Sequence, residues 1–159
     1  MGLSNKAQSV ALALLFMAAG GLPNASSTDA PQMARLMSAT ELKAGQHGHF
    51  IVSADINGRS VRVMVDTGAS AVALSYEDAQ KVGLHPRHLD FDIPVSTANG
   101  VTKAAKVMLG EVEIDGVRVS NVQGMVLPEG VMSGSLLGMS FLGKLRSFKV
   151  ENGVLYLKN

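Results

Sequence analysis

"RVMVDTGASAVALS", Arg62 to Ser75, runs an apolar stretch into a single carboxylate. Val61, Val63 and Val65 alternate with Arg62 and Met64, the two-residue period of a half-buried strand. Asp66 follows at once, and the four residues after it, Thr67, Gly68, Ala69 and Ser70, are all small. A charge at the end of a core strand is costly unless something satisfies it. The small residues supply the means. Gly68 permits a sharp turn that a Cβ opposes. Its amide and those of its neighbours can point at the carboxylate, and Thr67 and Ser70 add hydroxyls. Such a loop holds an ionised aspartate at the mouth of a cleft.

Outward from this stretch the chain reads as strands and hairpins. Four Asx-Gly pairs punctuate it: Asn57-Gly58, Asn99-Gly100, Asp115-Gly116 and Asn152-Gly153. Such pairs accept positive φ at both central turn positions and favour tight type I′ hairpins. β-rich sequence flanks each of them. A helix is expected over "SYEDAQKVG", with Ser75 as cap, Glu77 and Asp78 at its positive end and Gly83 as its stop. Another begins near Met139. Farther along, "GSLLGMSFL" sets the apolar Leu136 and Leu137 before Gly138, where another backbone can approach closely. The body, 46–159, is one mostly β domain with one or two short helices.

The N-terminus is a separate object. Lys6 precedes an uncharged stretch that lasts to Asp29. Its strongly apolar part, Val10–Ala19, is short for a membrane span, which needs roughly 20 apolar residues. The expectation for 1–27 is a secretory signal, with Ala25 and Ser27 at the small positions before a cut, or an uncleaved anchor touching the membrane through 7–23. A buried helix is the weaker reading, since the stretch has no polar face. Either leading reading exports the body to the periplasm or to the periplasmic side of a membrane. Residues 28–45 form a linker or arm, in which "PQMARLMSATELKA" has the spacing of a short helix.

Composition narrows the function. Fourteen basic and thirteen acidic residues give a net charge of +1 and no basic cluster with interleaved aromatics, so nothing asks for nucleic acid. The absence of Cys excludes disulfides and thiol chemistry. His47 and His49, and His85 and His88, lack the companions of a metal site and read as surface or loop residues. No metal or other cofactor is expected. Asp90, Asp92 and Asp115 read as turn or solvated aspartates. Apolar residues make up 47% of the chain and aromatics 4%, so Val, Leu, Met and Ala fill the core.

Asp66-Thr67-Gly68-Ala69-Ser70, a following hairpin, and Leu136-Leu137-Gly138 together resemble the retroviral-type, or retropepsin-like, aspartic proteases. The bacterial single-domain branch is the most similar, through "GHF…NG…VMVDTGAS", "TANG" and "LLGMSFLGKL". The resemblance implies a closed, barrel-like β fold with its active site at a homodimer interface. It implies Asp66 as catalytic acid and base, Thr67 bonding across the dimer axis, and Gly68 offering backbone groups to the aspartate and substrate. Ala69 and Ser70 complete the supporting loop, and Leu136, Leu137 and Gly138 pack under it. Ala98, Asn99 and Gly100 tip a flap over an extended polypeptide substrate, with "VLYLKN" available for a dimer sheet. Counting leads to the same assembly. The chemistry needs two carboxylates sharing one proton, and the chain carries one Asp-Thr-Gly. The second must come from a second copy. The rival reading is a catalytically idle dimeric β domain that binds extended peptides.

Ala69 carries a prediction. Pepsin-like enzymes often place Ser at this position, where a hydroxyl bonds the charged carboxylate and lowers its pKa. With Ala69 in its place, activity is expected from mildly acidic to near-neutral pH. Ala69→Ser is expected to move the acidic limb of the pH–rate profile downward, and an unmoved limb contradicts the reading.

Overall fold

The computed structural model describes residues 39–97 and 99–159. The expected signal or anchor, and the residues before 39 in the expected helix, lie outside the described residues, as does Ala98. Among the described residues, no helix is long and apolar enough to cross a membrane.

The quoted stretch forms β3 (Arg59–Val65), the Asp66 loop and β4 (Val72–Leu74). Asn57-Gly58 joins β3 to β2 (Ile51–Ile56), both turn residues at positive φ (54° and 80°) as a type I′ turn requires. Inward-facing Val52, Ala54 and Ile56 alternate with outward positions, and Val61 and Val63 do the same on β3. The longest strands are β6 (Gly100–Ile114) and β7 (Val117–Val126), joined by Asp115-Gly116 with φ of 46° and 85°. The short β8 (Ser135–Leu137) runs parallel to β3 and antiparallel to β4, while β4 runs parallel to β7. Pairing proceeds β2-β3-β8-β4-β7-β6, and Asp55↔Glu113 and Ile56↔Val112 join β6 back to β2. The six strands close into a barrel, leaving no edge within that ring. Beyond it, β5 (Ile93–Thr97) pairs with the first residues of β6 as a projecting hairpin.

Two short helices complete the frame. The first, α1 (Tyr76–Lys81), starts where expected: the Ser75 Oγ accepts from the Asp78 amide at 3.1 Å, and Gly83 takes φ of 82° just past the end. The second, α2 (Met139–Leu142), drives Phe141 and Leu142 fully into the core. Each such side chain contributes roughly 1.5–3 kcal/mol by burial.

A separate three-stranded sheet has the order β1-β10-β9, with β1 (Ala39–Lys43), β9 (Ser147–Glu151) and β10 (Val154–Lys158). Leu155 and Leu157 of β10 join the barrel core. This sheet corrects two expectations. Ala39–Lys43 is a strand rather than the second half of a helix, because pairing with β10 supplies backbone bonds that a short isolated helix lacks. "VLYLKN" is not an edge: β10 is the central strand, paired on both sides within its own chain.

Asp78 also differs from a simple helix-end charge. It is buried, with its carboxylate accepting from the Ser135 hydroxyl at 2.7 Å and from Lys81 Nζ at 2.9 Å. Burial works to raise its pKa, but the bonds from Lys81, Ser135 and Ser75 and the Lys81 charge together hold it below the ordinary 3.8. A depressed carboxylate contributes stability above its unfolded pKa, and that contribution is lost as pH falls through the folded value. Wild type is therefore expected to lose urea stability below about pH 4. Asp78→Asn is expected to be less stable at pH 7 and flatter with pH; parallel slopes for the two proteins contradict this.

Candidate active site

The Asp66 loop is built by backbone bonds from three directions. The Val65 amide donates to Phe50 O at 2.9 Å, and the Asp66 amide donates to Leu137 O at 3.1 Å. The strand end is thus pinned between the residue just before β2 and the end of β8. The turn closes as the Ala69 amide donates to Asp66 O (3.3 Å), and the Met139 amide then donates to Ala69 O (2.8 Å). The Gly68 amide points back at the side chain and donates to Asp66 Oδ1 at 2.8 Å. A Cβ on Gly68 would stand 3.2 Å from that oxygen, closer than comfortable packing. The carboxylate is left half-exposed, with one oxygen held and the group facing a cleft of about 490 Å³.

Among the described glycines, Gly138 leaves the least room for a side chain. A Cβ there would fall 2.2 Å from Ala71 O and 2.6 Å from Ala69 O. The chain leaving β8 therefore runs directly against the carbonyls of the Asp66 loop. Its φ of −97° is ordinary, so proximity alone demands glycine here. Ser140, two residues on, accepts from the Val72 amide (2.9 Å) and donates to Gln123 O (2.6 Å), tying α2 to β4 and β7.

The structure brings Asp66, Gly68, Ala69, Ser70, Leu136 and Asn99 around one cleft. Thr67 is exposed beside it, while Leu137 and Gly138 are buried behind the loop. The β5–β6 hairpin lines the opposite side through Val95, Ser96 and Thr97. Its turn is shifted by one residue from the expected Asn99-Gly100. Thr97 pairs with Gly100, and Asn99 falls in the turn between them. Thr97 decides the register: its hydroxyl donates to Gly100 O (2.8 Å) and accepts from the Asn99 amide (3.2 Å).

Sequence reading missed much of the wall. Leu136, Ala73 and Met125 are register partners across β8, β4 and β7, so they share the outward face and floor the cleft. Leu127, Val131 and Met132 close the far side. Strand alternation marks Met125 as outward, between the buried Gly124 and Val126. The loop residues Val131 and Met132 carry no such signal. Among the described residues, the cleft lining is aliphatic, small or polar and holds no aromatic side chain.

A closed β barrel with an Asp-Thr-Gly loop, a glycine crossing behind it and a hairpin opposite defines the retropepsin-like class of aspartic proteases. Residues 52–144 match the model of the family described as "gag-polyprotein putative aspartyl protease", and the chain belongs to that family. It is similar to the crystal structure of a retropepsin-like aspartic protease from Rickettsia conorii, at 36% identity and a TM-score of 0.69 over 77% of this chain and 91% of that one. It is 43% identical over 113 residues to an uncharacterized protein of a Sinorhizobium species, encoded in the cobV 5′ region (71% of this chain, 48% of that protein). An uncharacterized protein of Rickettsia prowazekii is 42% identical over 110 residues (69% of this chain, 47% of that protein). The chain thus spans about half the length of the curated relatives it matches.

The crossing at Gly138 yields a prediction. Gly138→Ala is expected to destabilise the fold by about 3 kcal/mol or more, since backbone carbonyls on the other side cannot rotate away. Chemical denaturation measures it; a loss under about 1 kcal/mol would show that the loops separate easily.

Proposed function

We propose that this protein is an aspartic endopeptidase that cuts extended polypeptides with a dyad formed by Asp66 from each of two copies. The observation that carries the reading is the Asp66 carboxylate itself, held by the Gly68 amide and turned toward an open cleft in a chain of this family. One Asp-Thr-Gly per chain supports a two-fold assembly. Exposed Thr67 beside the aspartate suits a contact across that axis. Among the described residues, the outer edges of β1 and β9 have no strand partner, and we assign them further contacts in that assembly.

Two carboxylates at close range share one proton, because both cannot ionise cheaply, and they titrate as a pair. The ionised member takes a proton from water while the protonated member donates to the scissile carbonyl oxygen. The water oxygen adds to the carbonyl carbon and gives a tetrahedral diol. Return of a proton to the amide nitrogen lets the C–N bond break, releasing acid and amine. The substrate lies between the Asp66 loop and the β5–β6 hairpin as an added strand, held by main-chain hydrogen bonds. The aliphatic cleft lining favours apolar side chains at the cut. The N-terminal apolar run after Lys6 supports export, so we assign the enzyme to the periplasmic side, acting on an exported or membrane protein.

The test is cleavage of a diverse peptide pool by 28–159 and by its Asp66→Asn form. Wild type is expected to cut, with the variant at least about 10³-fold slower. Binding by both proteins with cutting by neither would make the chain a peptide-binding module instead.

A further inference from the structure

The cleft floor and wall are held by two serine hydroxyls acting on one short strand. β4 spans three residues, and β8 reaches it through a single register pair, Ala73↔Leu136. At one end of β4 the Val72 amide donates to Ser140; at the other the Ser75 amide donates to the Ser135 hydroxyl at 3.2 Å. The two serines bracket Leu136, Leu137, Gly138 and Met139, so the segment behind Asp66 is stapled to β4 on both sides.

Ser135 does more than its partner. The residue is 2% exposed, and its hydroxyl donates to Asp78 Oδ2 at 2.7 Å while accepting from the Ser75 amide. Asp78, 8% exposed, returns to the same knot through its amide on the Ser75 hydroxyl, and its other oxygen takes Lys81. The ionised carboxylate accepts only, so it fixes the direction of the Ser135 hydroxyl and leaves the oxygen lone pair for the Ser75 amide. Residues 128–134, which carry Val131 and Met132 into the cleft, hang between two anchors. One is the Leu127 amide on Leu74 O at 3.0 Å; the other is Ser135.

We propose that Asp78 and Ser135 are positioning residues for the substrate-binding wall, holding 128–134 at the width an extended peptide requires. This deepens the protease reading and rests on it. Neither residue touches the reacting atoms. Asp66 keeps its own supports in their absence, the Gly68 amide and the Leu137 carbonyl. Loss of the knot therefore weakens substrate binding more than the chemical step.

The test is steady-state kinetics on full-length wild type, Ser135→Ala, Asp78→Ala, Asp78→Asn and the Ser135→Ala/Asp78→Ala double variant, with one peptide wild type cuts. Each alanine variant is expected to raise KM about tenfold with kcat within about twofold. The double variant is expected to match the singles, because both remove one network. Asp78→Asn keeps an acceptor oxygen and is expected to recover most of the loss. If Asp78→Ala does not fold, Ser135→Ala decides alone, since Lys81 still pairs with Asp78 there. A merely structural role lowers the active fraction, which shows as a fall in kcat at unchanged KM; that outcome, or KM effects that multiply in the double variant, overturns the proposal. A wild type that cuts nothing overturns the protease reading instead.

Discussion

The structure depends on one steric constraint: two chain segments cross with nothing between them at Gly138. The carbonyls of Ala69 and Ala71 occupy the space that any side chain there would need. The crossing fixes the Asp66 loop against β8, and the amide of Met139 bonds Ala69 O only because the backbones come so near. It also explains why the loop from Thr67 to Ala71 is made of small residues. Bulk on either side would push apart the pair of segments that hold the aspartate at the cleft mouth. Val, Leu, Ile and Ala fill the narrow barrel around this seam, with Phe50 and Phe141; no Met among the described residues is buried, contrary to the expectation that Met would help fill the core.

Topology supplies the rest of the constraint. β3 and β8 are parallel, as are β4 and β7, so neither pair can be joined by a tight turn. The chain between β4 and β7 contains α1 and the β5–β6 hairpin; the chain between β3 and β8 contains all of that together with β4 and β7. The cleft is roofed by sequence that a parallel connection obliges the fold to have. The site lies where the long connections leave the barrel, with the rigid ring beneath and the hairpin opposite.

Local signals were legible in the sequence, and distant ones were not. Asn57-Gly58, Asp115-Gly116 and Asn152-Gly153 all place both residues at positive φ, because the turn is decided within a few residues. The same rule missed at Asn99-Gly100, where the Thr97 side chain bonds across the turn and moves the closure by one position. The strand at Ala39–Lys43 was hidden for a different reason: its partner lies more than a hundred residues away in β10. Asp78 looked like a helix-end charge because it follows the Ser75 cap beside Glu77, at the helix's positive end. Its buried partner, Ser135, is 57 residues distant and has no local signature. Asp66, Gly68 and Gly138 were readable from the motifs. Most of the cleft wall depended on strand register that no motif encodes.

Register also joins stability to specificity. Along β8, Ser135 and Leu137 face inward while Leu136 faces the cleft; along β4, Val72 and Leu74 face inward while Ala73 faces it. The residues that pack the barrel and those that meet a ligand alternate on the same three-residue strands. A slip of one position would expose Leu137 and bury Leu136, emptying the core and reversing the cleft floor together. Such short strands contain too few ladder bonds to resist that slip alone. The serine staples on the Val72 and Ser75 amides and the glycine crossing at 138 supply the missing constraint. The polar and small residues around this site thus have a structural role that precedes any chemical one: they hold a short apolar ladder in the single register that leaves Asp66 facing the cleft.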